Sequence, residues 1–148
     1  MADSIRETIL QEVVSRLTAT TGISGRAYRS RAEMVARNEM PAIIVKPLTE
    51  TPTQQTSACK VDKVLTVAVL ICVHADIPDL AADPIITDAH KRLMPTVDGF
   101  VDLTLGGRPG VQDVAEAGNN FAIEGNDGVI GLTYEIKYRH AQGDPTSL

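Results

Sequence analysis

Two stretches of the chain place apolar residues at helical intervals, and the rest alternates with a period of two. Ile5, Ile9, Leu10, Val13, Val14 and Leu17 form the first stripe, with Glu7, Glu12 and Arg16 on the other face. Ser4 followed by Glu7 has capping-box spacing, and Gly22 and Gly25 bracket the exit, so the spacing predicts a helix over 4–19. The second stripe is Ile85, Ile86, Ala89, Leu93 and Met94. It follows Asp83-Pro84, an N-cap with proline at the first helical position, and stops before Pro95. Asp76 to Ala82 leads into it as a turn or short helix. Ser30 and Glu33 repeat the capping-box spacing and predict a short helix over 31–38.

The remaining patterns are those of strands. Arg26 to Arg29 is a short extended piece. Ala42-Ile43-Ile44-Val45 reads as a buried strand, entered through Met40-Pro41 and closed by Pro47. Thr49 to Ser57 is polar, rich in threonine and interrupted by Pro52, as in a long hairpin tip or a mobile loop. The chain then returns from Cys59 to His74. In that strand Leu65, Val67, Val69, Ile71 and Val73 alternate with residues that are also largely apolar, so it is expected to be central and covered on both faces in its second half. Phe100, Val101, Leu103 and Leu105 suggest a strand around the Gly106-Gly107 turn. Val111 to Glu124 suggests another, broken at Gly118-Asn119-Asn120. Asn126-Asp127-Gly128 signals a hairpin. In the last strand Ile130, Leu132, Tyr134, Ile136 and Tyr138 face in, while Thr133, Glu135, Lys137 and Arg139 face out. Together these predict an α+β fold: four to five mostly antiparallel or mixed strands, two main helices on one face, and a long projecting 42–74 hairpin. Leu65, Val67, Val69 and Ile71 are expected to lie beneath Ile9, Val13 and Leu17.

Composition narrows the chemistry. At 148 residues the chain fits one domain, with 141–148 as a disordered or extended tail. Aromatic residues make up 3% and tryptophan is absent, which disfavours stacking platforms for single-stranded nucleic acid and aromatic sugar clefts. The net charge of −5 gives no long-range pull toward DNA or anionic membranes. That charge is uneven. Residues 1–75 carry nine basic and seven acidic side chains, and residues 76–148 carry five and twelve. The longest apolar run, Val64 to Val73, is about half a membrane span. With a polar N-terminus, these features predict a soluble protein of a reducing cytoplasm, in which Cys59 and Cys72 stay free thiols.

No arrangement of side chains points firmly to catalysis. His74, Asp76, Asp79 and Asp83 lack a specific metal spacing, and acidic residues ahead of a helix are ordinary dipole partners. His90 beside Lys91 and Arg92 suits a helix C-terminus, and His140 is expected at the surface. No serine sits in a G-x-S-x-G elbow, Cys72 belongs to an apolar strand, and Gly106 to Gly110 lacks the lysine of a phosphate loop. Arg26, Arg29, Arg31 and Arg37 are four guanidinium groups in 12 residues. They suit a partner's phosphates or carboxylates, and they equally suit solvent or pairing with Glu33 and Glu39. No cofactor is implied.

The order of these elements resembles one family. A capped helix leads to Tyr28-Arg29-Ser30-Arg31, then Met40-Pro41-Ala42-Ile43-Ile44-Val45, a polar hairpin tip, and Ala82-Asp83-Pro84-Ile85-Ile86 with Ala89-His90. The chain closes on Tyr134-Glu135-Ile136-Lys137-Tyr138-Arg139 and Gly143-Asp144-Pro145. This resembles the tail terminator (minor tail protein U-like) family of long-tailed phages and prophages. The resemblance implies a structural, non-enzymatic virion protein that forms a hexameric ring on the tail tube, stops its polymerisation and meets head-completion proteins. DNA would pass through the ring without specific binding, no membrane would be involved, and the protein would be made in the bacterial host cytoplasm. Neck and tail-completion proteins share much of this fold and are the alternative role. A small enzyme or ligand-binding domain using the arginine cluster is the alternative from another class. For the ring reading, Arg26, Arg29, Arg31 and Arg37 form one candidate interface, and Thr51, Thr53, Gln54, Gln55 and Thr56 at the hairpin tip form the other.

Overall fold

The computed structural model describes residues 3–55, 59–94, 96–97, 100–101 and 111–146. Helix α1 covers Ile5–Thr18, and the Ser4 hydroxyl accepts the backbone N–H of Glu7 at its N-terminus. Ile5, Ile9, Leu10, Val13 and Leu17 are buried along it, as the stripe predicts. The strands are β1 (Ala27–Arg29), β2 (Ala42–Gln55), β3 (Lys60–His74), β4 (Thr96–Val97), β5 (Phe100–Val101), β6 (Val111–Glu124) and β7 (Asp127–Ala141). Helix α2, Pro78–Leu93, lies between β3 and β4 in the chain.

Five strands form an open mixed sheet in the order β1-β2-β3-β7-β6, with β3 in the middle, while β4 and β5 pair separately. Among the described residues only the β1–β2 pairing is parallel. The two helices cover one face and fill the core with Leu65, Val67, Val69, Ile71 and Val73 of β3 and Ile130, Leu132, Tyr134, Ile136 and Tyr138 of β7. On the opposite face a small cluster of Val35, Ala42 and Cys72, flanked by Tyr28, Met40 and Ile44, covers one end of β3. Both thiols are free; Cys72 is buried and Cys59 exposed, with burial pushing the Cys72 thiol up.

Four local expectations are corrected. The helix over 31–38 does not form, and only a 3-10 turn at Arg37–Glu39 is present. Ser30 adopts φ +47, outside the extended conformation an N-cap needs, and its N–H goes to the carbonyl of Val45. Helix α2 starts at Pro78, so Pro84 lies inside it; Pro78 already supplies a proline at the start, and the N–H of Ala81 bonds the carbonyl of Ile77. Pro47 does not close β2. The strand runs on to Gln55, with register breaks at Pro47/Thr49 and Pro52/Gln54. Past Val45 no described strand flanks it on the outer side, and an edge tolerates proline and bulges. The polar stretch from Thr49 to Gln55 is therefore strand, and residues 56–58 lie outside the described residues.

The β6–β7 hairpin forms, but its turn is Gly125-Asn126, one residue earlier than the Asn-Asp-Gly signal suggests. Gly125 takes φ +61, the conformation glycine permits at the first central position. The break near Gly118 is a bulge within β6, where the register shifts between Glu116 and Gly118. The strand expected at 100–105 is present at Phe100–Val101, and the rest of it lies outside the described residues. Strand β7 accompanies β3 from His74 to Lys60 and β6 accompanies β7 from Asp127 to Tyr138, so only the last residues of the 42–74 hairpin run as a three-stranded ribbon. Beyond β7 the chain turns, and the carbonyl of Pro145 accepts the N–H of Ile5 at 2.9 Å.

Candidate functional site

The sheet separates Arg29 from Arg31, while Arg26 and Arg31 both act on Glu39. Arg29, on β1, reaches the helix side and grips Glu7 with two bonds of 2.9 Å each. Arg31 lies on the other side, 2.9 Å from Glu39 Oε2 and stacked 4.6 Å above the Tyr28 ring. These partners hold the Glu7 and Glu39 carboxyls below their ordinary values, and Glu39 also accepts the N–H of Ala36. Pairing with Glu39 is thus observed, whereas Glu33 is exposed and joins no ion pair among the described residues. Arg26 donates to the carbonyl of Pro41, and Arg37 stands 3.5 Å from Asp127 with 71% of its side chain exposed.

The histidines act as ties between elements. His74 Nδ1 is 2.7 Å from Asp127 across the β3–β7 ladder, and that contact leads the effects holding the Asp127 carboxyl low. Asp76, Asp79 and Asp83 do not join it. Among the described residues no group of three or more histidine, cysteine, aspartate or glutamate side chains could hold a metal ion. His90 links α2 to β7 and β6, at 2.9 Å from Tyr134 Oη and 3.4 Å from Glu116. The sequence signals for that tie are a histidine at the border of the α2 stripe and an inward tyrosine on β7. His140, expected at the surface, is only 5% exposed. It shares the inward parity of Tyr138, and its Nδ1 lies 2.7 Å from the carbonyl of Ala141.

Two partly buried polar contacts stiffen the distal part of the sheet. Tyr138 Oη donates to Glu50 at 2.6 Å, and Glu50 also meets Arg6 and Lys63. Asp62, 4% exposed, accepts two bonds from Arg139 at 2.6 and 3.2 Å. Hydrogen bonding from Arg139 is the largest cause holding the Asp62 carboxyl below its ordinary 3.8. A depressed carboxylate stabilises the fold fully above its unfolded value, and the contribution disappears as pH falls through the lowered folded value. Acid should therefore weaken the protein from about pH 4 downward. Asp62→Asn should flatten that limb of a melting-temperature profile, and an unchanged profile would remove the pair from the account. Arg139→Ala, which leaves the buried carboxylate unpaired, should lower the melting temperature more than Arg6→Ala.

What remains conspicuous is surface. Thr51 and Thr53 are exposed on β2, with the Thr53 hydroxyl donating to the carbonyl of Asp62. The backbones of Gln54 and Gln55 pair with Asp62 and Val61, and Thr56 lies outside the described residues. Strand β6 is exposed on both faces from Ala115 to Glu124, with Phe121 and Ile123 showing 55% and 46% of their area. A groove on the face away from the helices is lined by Met34, Val35, Arg37, Met40, Asp127 and Val129. Sequence reasoning missed the β6 edge: its alternation announces a strand, and nothing local says that one side stays unpartnered. No described helix is long and apolar enough to cross a membrane.

No family model matches the chain, and no curated protein matches it in sequence. Among solved structures it is similar to a chain of the particle described as "Virion of native gene transfer agent (GTA) particle". The TM-score is 0.55 at 10% identity, over 92% of this chain and 95% of that one. At this identity the likeness is one of fold, and it runs through nearly the whole of both chains.

Proposed function

We propose that this chain is a structural component of a phage-like virion, and specifically a tail terminator that caps the tail tube as a ring. The observation that carries the virion reading is the end-to-end fold likeness to a chain of the gene transfer agent particle. The tail-terminator role rests on the sequence resemblance, and the pairing of Arg29 and Arg31 within the chain and the long uncovered β6 edge support a surface that works by contact. In this reading the partners are further copies of the chain, the tail-tube protein below and a head-completion or neck protein above. DNA passes through the ring without being read. Of the candidate interface residues, Arg26 and Arg37 are the arginines without a tight carboxylate partner, and the exposed threonines of β2 reach the tube.

Light scattering and negative-stain microscopy of the purified chain, alone and with tail tubes, test this reading. The expected result is about six copies of the 15.9 kDa chain, formed free or on the tube end, and tubes that no longer elongate. Tubes that elongate normally with the protein in excess would overturn the terminator role. Binding to assembled necks with no effect on tubes would move the chain to neck or tail completion.

A further inference from the structure

The two edges of the five-stranded sheet differ, and they match each other. Past Val45 the β2 edge is interrupted by Pro47 and Pro52 and two register breaks, the usual devices that keep an edge from pairing. Strand β6 has none of them from Ala115 to Glu124 except the single bulge at Gly118, and it contains no proline or lysine. No described strand flanks its outer side, nor the outer side of β1. A ten-residue exposed edge with Phe121 and Ile123 uncovered is a template for another strand.

We propose that β6 pairs with β1 of a second copy of this chain, so that the sheet continues from subunit to subunit. The inference deepens the ring reading and rests on it. Three features of the fold select β1 as the occupant. Direction is the first. The pairings run parallel, antiparallel, antiparallel and antiparallel across the sheet, which leaves β6 antiparallel to β1. A copy stepping sideways therefore offers the pairing that β-strands form most readily.

Level is the second. Ala27 shares a row with Ile43, Ile71, Ile130 and Phe121, and Arg29 shares one with Val45, Val69, Leu132 and Asn119. The sideways step thus brings Asn119–Phe121 beside Ala27–Arg29 without sliding along the strands. Phe121 and Ala27 both face the helix side, so α1 of the neighbour, which lies over β1, would shelter the exposed ring.

Charge is the third. Arg26 stands one residue ahead of β1 and Glu124 ends β6; neither joins an ion pair among the described residues. In the proposed register they become diagonal neighbours on one face, close enough to attract. Such a contact joins two different patches, which closes into a ring when the rotation fits.

The test uses the full chain carrying Cys59→Ser. Ala27→Cys and Phe121→Cys proteins, whose new thiols share one row and one face in the proposed register, are treated with a short thiol cross-linker, separately and mixed. Covalent dimers only in the mixture are the expected result. Self-cross-linking of the Phe121→Cys protein would mean β6 pairs with β6, and no product in the mixture would mean no edge contact; either overturns the proposal. As an independent arm, Arg26→Glu and Glu124→Arg should each weaken assembly at least tenfold at unchanged circular dichroism, and the double variant should recover it. Single variants that assemble like the parent, or a double variant no better than either, would also overturn it. A chain that cross-links between these edges yet never caps tubes keeps the contact and removes the terminator role. Capping without any edge cross-link does the reverse.

Discussion

Ile71→Ala should lower the free energy of unfolding by about 2–5 kcal/mol, the range for deleting a buried branched side chain from a core that relaxes only partly. Ile71 is fully buried on β3, the middle strand of the sheet, with Ile43 and Ile130 beside it in neighbouring strands. Neither neighbour can move into the space without dragging its own ladder. Urea denaturation checks the value, with the midpoint falling and the slope unchanged. Leu70→Ala is the control, because Leu70 faces the other side of the sheet and is only half-buried. Its cost should be clearly smaller. Equal costs would mean that the helix-covered face is not the principal core.

Gly128→Ala should also destabilise, by about 1–3 kcal/mol, although it adds a single methyl group. A Cβ at Gly128 would sit 2.8 Å from Cβ of Pro78 and 3.3 Å from a methyl of Val73. Pro78 begins α2 and its ring cannot rotate away, so the helix start must lift from the hairpin. Gly125→Ala meets no atom within 4 Å but would hold alanine at φ +61, and it should cost less. Thermal denaturation of the two variants gives the order. A Gly128→Ala protein as stable as the parent would show that α2 is not seated on this glycine.

How legible this was in sequence depended on how local the signal was. Ser4, the α1 stripe and the alternation of Ile130 to Tyr138 are each decided within a few residues, and the structure follows them. The Ser30–Glu33 pair failed because a longer-range demand won: the segment is held beside β2 by Ser30, and Glu39 is taken by Arg31. The Asn-Asp-Gly turn failed by one residue because Gly128 is wanted for closeness to Pro78, not for backbone freedom. Proline at 47 and 52 suggested an ending, when an outer edge had no need of the missing N–H groups. The candidate site was least legible. Spacing alone does not say that the sheet divides Arg29, bound to Glu7, from Arg31, bound to Glu39, and the β6 edge exists only because of strand order.

That strand order also governs when the protein can fold. Strand β3 lies between β2, which adjoins it in the chain, and β7, whose first contact with it, Asp127 to His74, spans 53 residues. During synthesis the β2–β3 hairpin emerges with one flank of its most apolar strand bare, and it stays so until β7 leaves the ribosome. Loop closure over that distance is slow compared with hairpin formation. Nascent chains are therefore the aggregation-prone species, and expression should respond to chaperone supply and lower temperature more than the finished fold's stability alone would suggest.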